Sequence, residues 1–276
     1  MKITKLYPPQ NNGFVMDELP FKAQTLFGAL ANCYVSLFGG ENFIEFLKYF
    51  ENGKIGSIFP AIRVNEKEIF FLPKPYIAKI PTNKENGNDI SKKKIKKIRW
   101  LSFAAMKLLS DSIQNIDGEF YHSIDFMNDL ITVGNEFLIT KDDLEAVTIS
   151  KLQDLNFYKH NETIRVHVAR FGEDSTPFDQ KEISFLNTKI SLENNESLDI
   201  QTFLYFPEDI AEDNNWEATK NLFAEEGIGG KRNLGKGYFE KIVSAEIVWG
   251  KPIEPKLYLL LSNLIPQKEE LKNIIN

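Results

Sequence analysis

Between Gly227 and Glu240 the chain reads GIGGKRNLGKGYFE, with Gly227, Gly229, Gly230, Gly235 and Gly237 set among Lys231, Arg232 and Lys236. Upstream, NNWEATKNLFAEEG puts Trp216, Thr219, Leu222 and Phe223 on one side of a helix that Gly227 stops. Downstream, GYFEKIVSAEIVWG alternates at the period of a strand. The glycines therefore join a helix to a strand, and this order restricts what the loop can be. GKRNLGKG has the G-x-x-x-x-G-K spacing of a phosphate loop, but Gly237 stands where a Ser or Thr hydroxyl would hold magnesium. A phosphate loop also leaves a strand and opens a helix, the reverse of this order. A dinucleotide G-x-G-x-x-G fails as well, because counting from Gly227 puts Arg232 at the last glycine. What remains is a backbone free to take positive φ at positions such as Gly230 and Gly235, with bare N–H groups and three cations and no acid from 227 to 239. That is a chemistry for holding phosphate; a connection that only needs positive φ is the alternative.

The remaining elements follow from periodicity. MKITKLYP alternates as a strand, LPFKAQTLFGALANCYVSLFGG spaces Leu26, Phe27, Leu30, Tyr34 and Phe38 as a helix, and ENFIEFLKYFENG predicts a second helix ended by Gly53. SIFPAIRVNEKEIFFLPKP has strand composition. Residues 91–113 predict one helix capped by Ser91, with Ile95, Ile98, Leu101, Ala105 and Leu108 inward and Lys92, Lys93, Lys94, Lys96, Lys97 and Arg99 crowding its first turns. Cations at the positive end of a helix dipole call for an anion or an acidic surface; a solvated face is the alternative. TIRVHVARF and KEISFLNTKISL predict a long hairpin with Arg165 and His167 on one face, and LDIQTFLYF predicts a further strand. This order predicts an α+β fold of two ferredoxin-like units, each an antiparallel sheet with helices on one face, divided at about 1–150 and 151–276.

The 276 residues, 42% hydrophobic with 22 Phe, suffice for one sizeable core or two small ones, and two compact units are expected. The formal net charge of -6 means that any nucleic-acid surface must be a local basic patch. Cys33 is the only cysteine, so no internal disulfide forms, which suits a reducing compartment. MKITKLYPPQ is no secretory leader and no stretch approaches the roughly 18 apolar residues of a membrane span, so a cytoplasmic protein without membrane contact is expected.

GIGGKRNLGKGYFE resembles the C-terminal glycine-rich loop of the RAMP superfamily of CRISPR RNA-binding proteins. LPFKAQTLFGAL, LPKPYI followed by KKKIKKIRWLS, and RVHVARFGEDSTPFDQKEISF at the place of a protruding hairpin narrow the resemblance to the fourth Csm subunit family of type III-A interference complexes. The resemblance implies ferredoxin-like (RRM-like) domains with an inserted hairpin and helices. It implies a subunit that holds the 5′ handle of guide RNA, caps the backbone RAMP subunits and contacts the large polymerase-like subunit. Gly229, Gly230, Lys231, Arg232, Gly235 and Gly237 match the loop that lies against handle RNA, with Lys236 beside them. Asn233 and Leu234 replace the family's small hydroxyl residues, and Asn233 still donates hydrogen bonds. Lys22, Gln24 and Thr25 stand where a related loop and helix start meet the RNA backbone. Arg165, His167 and Arg170 match the hairpin, although FGEDSTPF replaces the family's acid-base-threonine pattern.

Catalysis is not expected. A metal-free ribonuclease needs a near-neutral His, a partner group and cations. The candidates are His122, His160 and His167, none near the first helix, where the superfamily's guide-processing endonucleases carry theirs. One alternative is RNA cutting through Asp17, since related backbone subunits place a target-cutting Asp in that region. Another is an RNA-free assembly protein using the acidic run EDIAEDNN, 208–215. One cysteine and three scattered histidines supply no zinc site, and neither metal nor cofactor is expected.

Overall fold

The computed structural model describes residues 2–10, 13–16, 19, 21–75, 97–116, 119–122, 129–167, 175–192, 196–247 and 261. In chain order the elements are β1 (Lys2–Tyr7), β2 (Phe14–Val15), α1 (Ala23–Phe38), α2 (Phe43–Asn52), β3 (Lys54–Ile55), β4 (Phe59–Val64), β5 (Lys67–Pro73), β6 (Trp100–Ser102) and α3 (Phe103–Asp111). There follow β7 (Ile113–Ile116), β8 (Glu119–His122), β9 (Leu130–Val133), β10 (Phe137–Thr140), α4 (Ala146–Leu152), β11 (Tyr158–His167), β12 (Thr176–Phe185), β13 (Asn187–Ser191), β14 (Ser197–Asp209), α5 (Asn214–Glu226) and β15 (Lys241–Glu246). The fold is mixed α and β. Its main feature is a mixed sheet of ten strands in the order β15-β1-β14-β4-β5-β6-β10-β9, with β13 and β3 also on β14.

Four of these strands form a unit of their own. The chain runs β1, α1, β4, then β14, α5, β15, while the spatial order is β15-β1-β14-β4 with every neighbour antiparallel. This is βαββαβ connectivity with β5 to β13 inserted between its second and third strands. The unit takes elements from both the 1–150 and the 151–276 portions of the chain. Beyond it, β6 and β10 pair in parallel, so the extension departs from the all-antiparallel second unit expected from the sequence. The stretch TFLYF in β14 lacks strict alternation because it is covered on both faces: Phe203, Leu204, Tyr205 and Phe206 are all fully buried.

A buried ionic cluster ties the unit together. Lys220 in α5 reaches Glu208 of β14 at 3.3 Å and Ser244 Oγ of β15 at 2.7 Å. Glu208 also accepts from the Trp216 indole N–H at 3.0 Å and from the Thr4 hydroxyl of β1. Burial works against the ammonium, but Glu208 and Glu217 outweigh it and raise the Lys220 pKa above the ordinary lysine value. Glu212 is shared with Lys2 and Lys220, and Asp213 caps α5 by accepting from the Trp216 backbone N–H at 2.8 Å. Glu208, Glu212 and Asp213 of the run 208–215 thus have partners within the chain, while Asp209, Glu212 and Asp213 remain exposed.

The predicted helix over 91–113 is corrected. Its described part holds strand β6 and the shorter α3, and the cap is Ser102, whose hydroxyl accepts from Ala105 N–H at 3.1 Å. Ile98, Leu101 and Ala105 are buried as expected, but Trp100 is buried too, because a strand lining the sheet can hide successive residues. Residues 91–96, with Lys92, Lys93, Lys94 and Lys96, lie outside the described residues. Cys33 is a core residue of α1, and burial pushes its thiol up to about 11, the mark of an inert side chain. Among the described residues no helix is long and apolar enough to cross a membrane.

Replacing Lys220 with Met leaves the Glu208 carboxylate buried without its cation, so the unfolding free energy in urea should fall by about 3–5 kcal/mol. Because the folded-state pKa of Lys220 is raised, its contribution is full below the unfolded lysine pKa and fades as pH rises through the folded value. The gap between wild type and variant should therefore close only in strong alkali.

Candidate nucleic-acid interface

The glycine loop leaves the C-terminus of α5 and is pinched at a neck. Gly227 caps the helix through its N–H to Phe223 O at 2.8 Å, and Ile228 N–H donates to Gly237 O at 3.0 Å. Backbone lies on backbone here: a Cβ on Gly237 would sit 2.1 Å from Ile228 O, and its φ is +79°. The tip is a compact turn. Lys231 takes a left-handed φ of 60°, Arg232–Leu234 form one 3-10 turn, and Gly235 reverses the chain at φ +74°. At Gly235 a Cβ would meet nothing within 4 Å, so the backbone there faces open space. Gly230 differs from expectation: its φ is not positive, and its small size serves instead to pass Val15, whose Cγ1 would lie 3.2 Å from a Cβ.

The loop is tied to two other candidate segments. Gly230 N–H donates to Val15 O at 2.9 Å in an antiparallel bridge, and β2 in turn pairs with β12 through Val15 opposite Glu182. Asn161 of β11 stands opposite Glu182 on the other side, so one row runs Asn161, Glu182, Val15, Gly230. Phe21, buried, lies beneath Gly229 and brings the loop beside the start of α1, where Lys22, Gln24 and Thr25 are exposed. Lys22 occupies the N-cap position in an extended conformation without a side-chain cap bond. Lys231, Arg232 and Asn233 are exposed, and neither Lys231 nor Arg232 forms an ion pair among the described residues. Lys236 does: its ammonium lies 3.1 Å from Glu182 Oε2.

Arg165 and His167 are exposed and lie farther out. They share a face of the hairpin with Glu182 by strand alternation, but stand four and six residues beyond Asn161. At the strand rise this places them roughly 13 and 20 Å along the arm from the loop. Arg170 lies outside the described residues. The structure thus brings together the loop and the α1 start, and sets Arg165 and His167 at the far end of a continuous face.

No protein-family model matches the chain. It is 27% identical over 300 aligned residues, 99% of this chain and 77% of the relative, to the CRISPR system Cms protein Csm4 of Methanocaldococcus jannaschii. The chain is a relative of Csm4. Its fold is also found in a chain of the Csm3-Csm4 subcomplex in the type III-A CRISPR-Cas interference complex, at a TM-score of 0.58 and 23% identity, covering 90% of this chain and 70% of that one. A chain of the Csm1-Csm4 cassette in complex with cA4 matches at 0.50 and 17%, covering 91% and 72%. The resemblance to the fourth Csm subunit read from the sequence is thus met by a Csm4 homologue aligned along nearly the whole chain.

Against this Csm4-like background the candidates for chemistry stand apart from one another. His160 is on β11 with its ring edge-on to Tyr158 at 5.5 Å, His167 is near the hairpin tip, and only the backbone of His122 is described. Asp17 lies outside the described residues, and no group of three potential metal ligands is found among the described residues. Sequence reasoning missed Val15 and Glu182. A two-residue strand is too short for alternation to reveal, and Glu182 in KEISF reads as an ordinary surface acid until register sets it opposite Val15.

The two glycines should separate in mutation. Gly237→Val, which drives a Cβ into Ile228 O, should lower the melting temperature strongly. Gly235→Val has open space and only its positive φ to resist it, so it should cost about 1–2 kcal/mol, measured by thermal denaturation.

Proposed function

We propose that this chain is a non-catalytic RNA-binding subunit of a type III-A CRISPR effector complex, acting in the cytoplasm. It holds the 5′ handle of the guide RNA and links the backbone RAMP subunits to the large polymerase-like subunit. The observation that carries the reading is Gly235, a positive-φ backbone open to solvent at the tip of a loop that presents Lys231 and Arg232, neither ion-paired among the described residues. Backbone amides and unpaired cations beside a helix start suit phosphate oxygens and carry no base preference. The partners are inferred from the relatives: Csm4 is found with Csm3 in one solved complex and with Csm1 in another. The βαββαβ unit is taken as a ferredoxin-like, RRM-like domain with the hairpin and helices as insertions.

A scaffold role needs positioned donors rather than an acid-base pair, and His160 and His167 sit along β11, away from the start of α1. The test is RNA binding by fluorescence anisotropy across a salt series, using the chain assembled with its large subunit and a handle-bearing RNA. Replacing both Lys231 and Arg232 with Ala should weaken binding and reduce the slope of log K against log salt by about 1.4, two single-strand phosphate contacts. Lys236→Ala, which removes a cation already answered by Glu182, should change the slope far less. An unaltered slope in the double variant would take the loop out of the interface.

A further inference from the structure

Helix α5 has its two ends in different surroundings. Its last turn runs into the glycine loop, whereas its start, capped by Asp213, borders a cleft of 680 Å³ shared with α1 and α2. The 13 residues of the helix, about 20 Å, separate the two. The walls of the cleft are aromatic: Tyr34 and Phe38 of α1 pack ring against ring at 4.7 Å, and Tyr49 of α2 meets Tyr34 edge-on at 6.2 Å. Its charge is acidic. Glu45 is answered by Lys48 at 2.6 Å, but Asp209 and Asp213, both exposed, form no ion pair among the described residues. Asp213 is held in place by the Tyr49 hydroxyl, which donates to its two oxygens at 2.7 and 2.6 Å. Burial and the Asp213 carboxylate keep that hydroxyl protonated well beyond the ordinary tyrosine range.

Beside the cleft, α2 turns apolar side chains to solvent. Phe43, Ile44 and Leu47 are exposed, Ile44 by 67%, and Leu37 near the end of α1 is exposed as well. Ile44 stands one turn before Lys48 on the rim of the cleft and three residues before Leu47, so this apolar face is continuous with the cleft's edge. Four of the nine exposed large hydrophobic side chains among the described residues therefore fall within 37–47. Single exposed apolar residues are ordinary, but a cluster at the rim of a cleft marks a surface that something covers. The chemistry of the cleft narrows what that is. Two unpaired carboxylates repel phosphate, so this end of α5 does not extend the candidate RNA edge. They call for a cation, and the aromatic walls call for an aliphatic stem behind it. Arginine has both, a planar fork that matches carboxylate oxygens and a stem that packs on apolar surface. A small free cation would leave Ile44 and Leu47 bare, whereas a protein face covers them.

We propose that the cleft is a socket for an arginine of a protein partner, whose neighbouring aliphatic side chains lie on Phe43, Ile44 and Leu47. Asp209 and Asp213 answer the guanidinium, and the arginine stem lies along Phe38 and Tyr49. The acidic run 208–215 then has two uses: Glu208 is spent inside the fold on Lys220, and Asp209 and Asp213 serve the socket. Because the socket and the glycine loop are at opposite ends of α5, protein and RNA can be held at the same time. The inference rests on the reading of the chain as a subunit of a multiprotein complex but not on the RNA contact.

The experiment titrates the full chain against the large subunit and against the backbone subunit, each purified alone, by isothermal calorimetry. Ile44→Asp and Asp209→Asn should each weaken binding to the same one of these subunits about ten-fold, and Ile44→Met should bind as wild type does. Asp209→Asn should also flatten the salt dependence of that binding. Both positions are exposed, and melting curves check that the variants are folded; Asp213 is left intact because it caps α5. Affinity for handle-bearing RNA should not change in either variant. If both variants bind both subunits as wild type does, the socket is refuted and the proposed function stands. A loss of RNA rather than of a subunit would also refute it, since the face would then belong to the RNA site. If wild type binds neither subunit, the linking role falls and the socket falls with it.

Discussion

The Lys220–Glu208 pair is the interaction on which the rest of the structure depends, because it is where the two ends of the chain are joined. Lys220 on α5 holds Glu208 of β14 and Ser244 of β15, and Glu208 holds Thr4 of β1. Lys220 and Glu208 each have several partners, so the cluster satisfies charges that burial would otherwise make costly. Such a cluster is weak evidence for stability but does constrain orientation. It fixes α5 over β1, and the direction in which α5 ends decides where the glycine loop emerges.

From that exit the loop is shaped by division of labour among its glycines. Gly227 and Gly237 let two backbone segments touch at the neck, whereas Gly235 faces open space. The loop is not independent of its surroundings. Its bridge to Val15 and the Lys236–Glu182 contact attach it to the base of the hairpin, and Phe21 attaches it to α1. Three segments far apart in sequence are therefore joined along one edge.

Much of this was legible beforehand where one physical signal dominated. Helices α1, α2 and α5 followed from apolar spacing and glycine stops, and the hairpin and β14 from β-rich composition. The βαββαβ order was legible in outline; that its strands come from both ends of the chain was not, because pairing partners depend on register and no local pattern encodes them. The helix expected at 91–113 failed for a related reason. Ile98, Leu101 and Ala105 match a helical stripe, yet Trp100 and Leu101 are adjacent and both buried, a condition met by a strand inside a sheet. At the site, the glycines and cations announced themselves by type. Glu182 and Val15 did not, since their roles come from standing opposite one another across a strand pair. Gly230 stands out in the sequence as a candidate for positive φ, but its role comes from the bulk of its neighbour Val15.

The interleaved order β15-β1-β14 also bears on how the chain is made. β1 is synthesised well before both of its neighbours, and Thr4 finds Glu208 across 204 residues. During translation β1 has two unpaired edges and no sheet to join, and the loop closures that complete it are long and slow. Folding of this unit is consequently late, when β14 and β15 have left the ribosome. A truncated product carrying only the amino-terminal elements would display exposed strand edges that invite aggregation and would lack any glycine loop. Only chains translated through β15 acquire both the full strand order of the unit and the edge that carries the loop, so the topology ties formation of the unit to synthesis of its last strand.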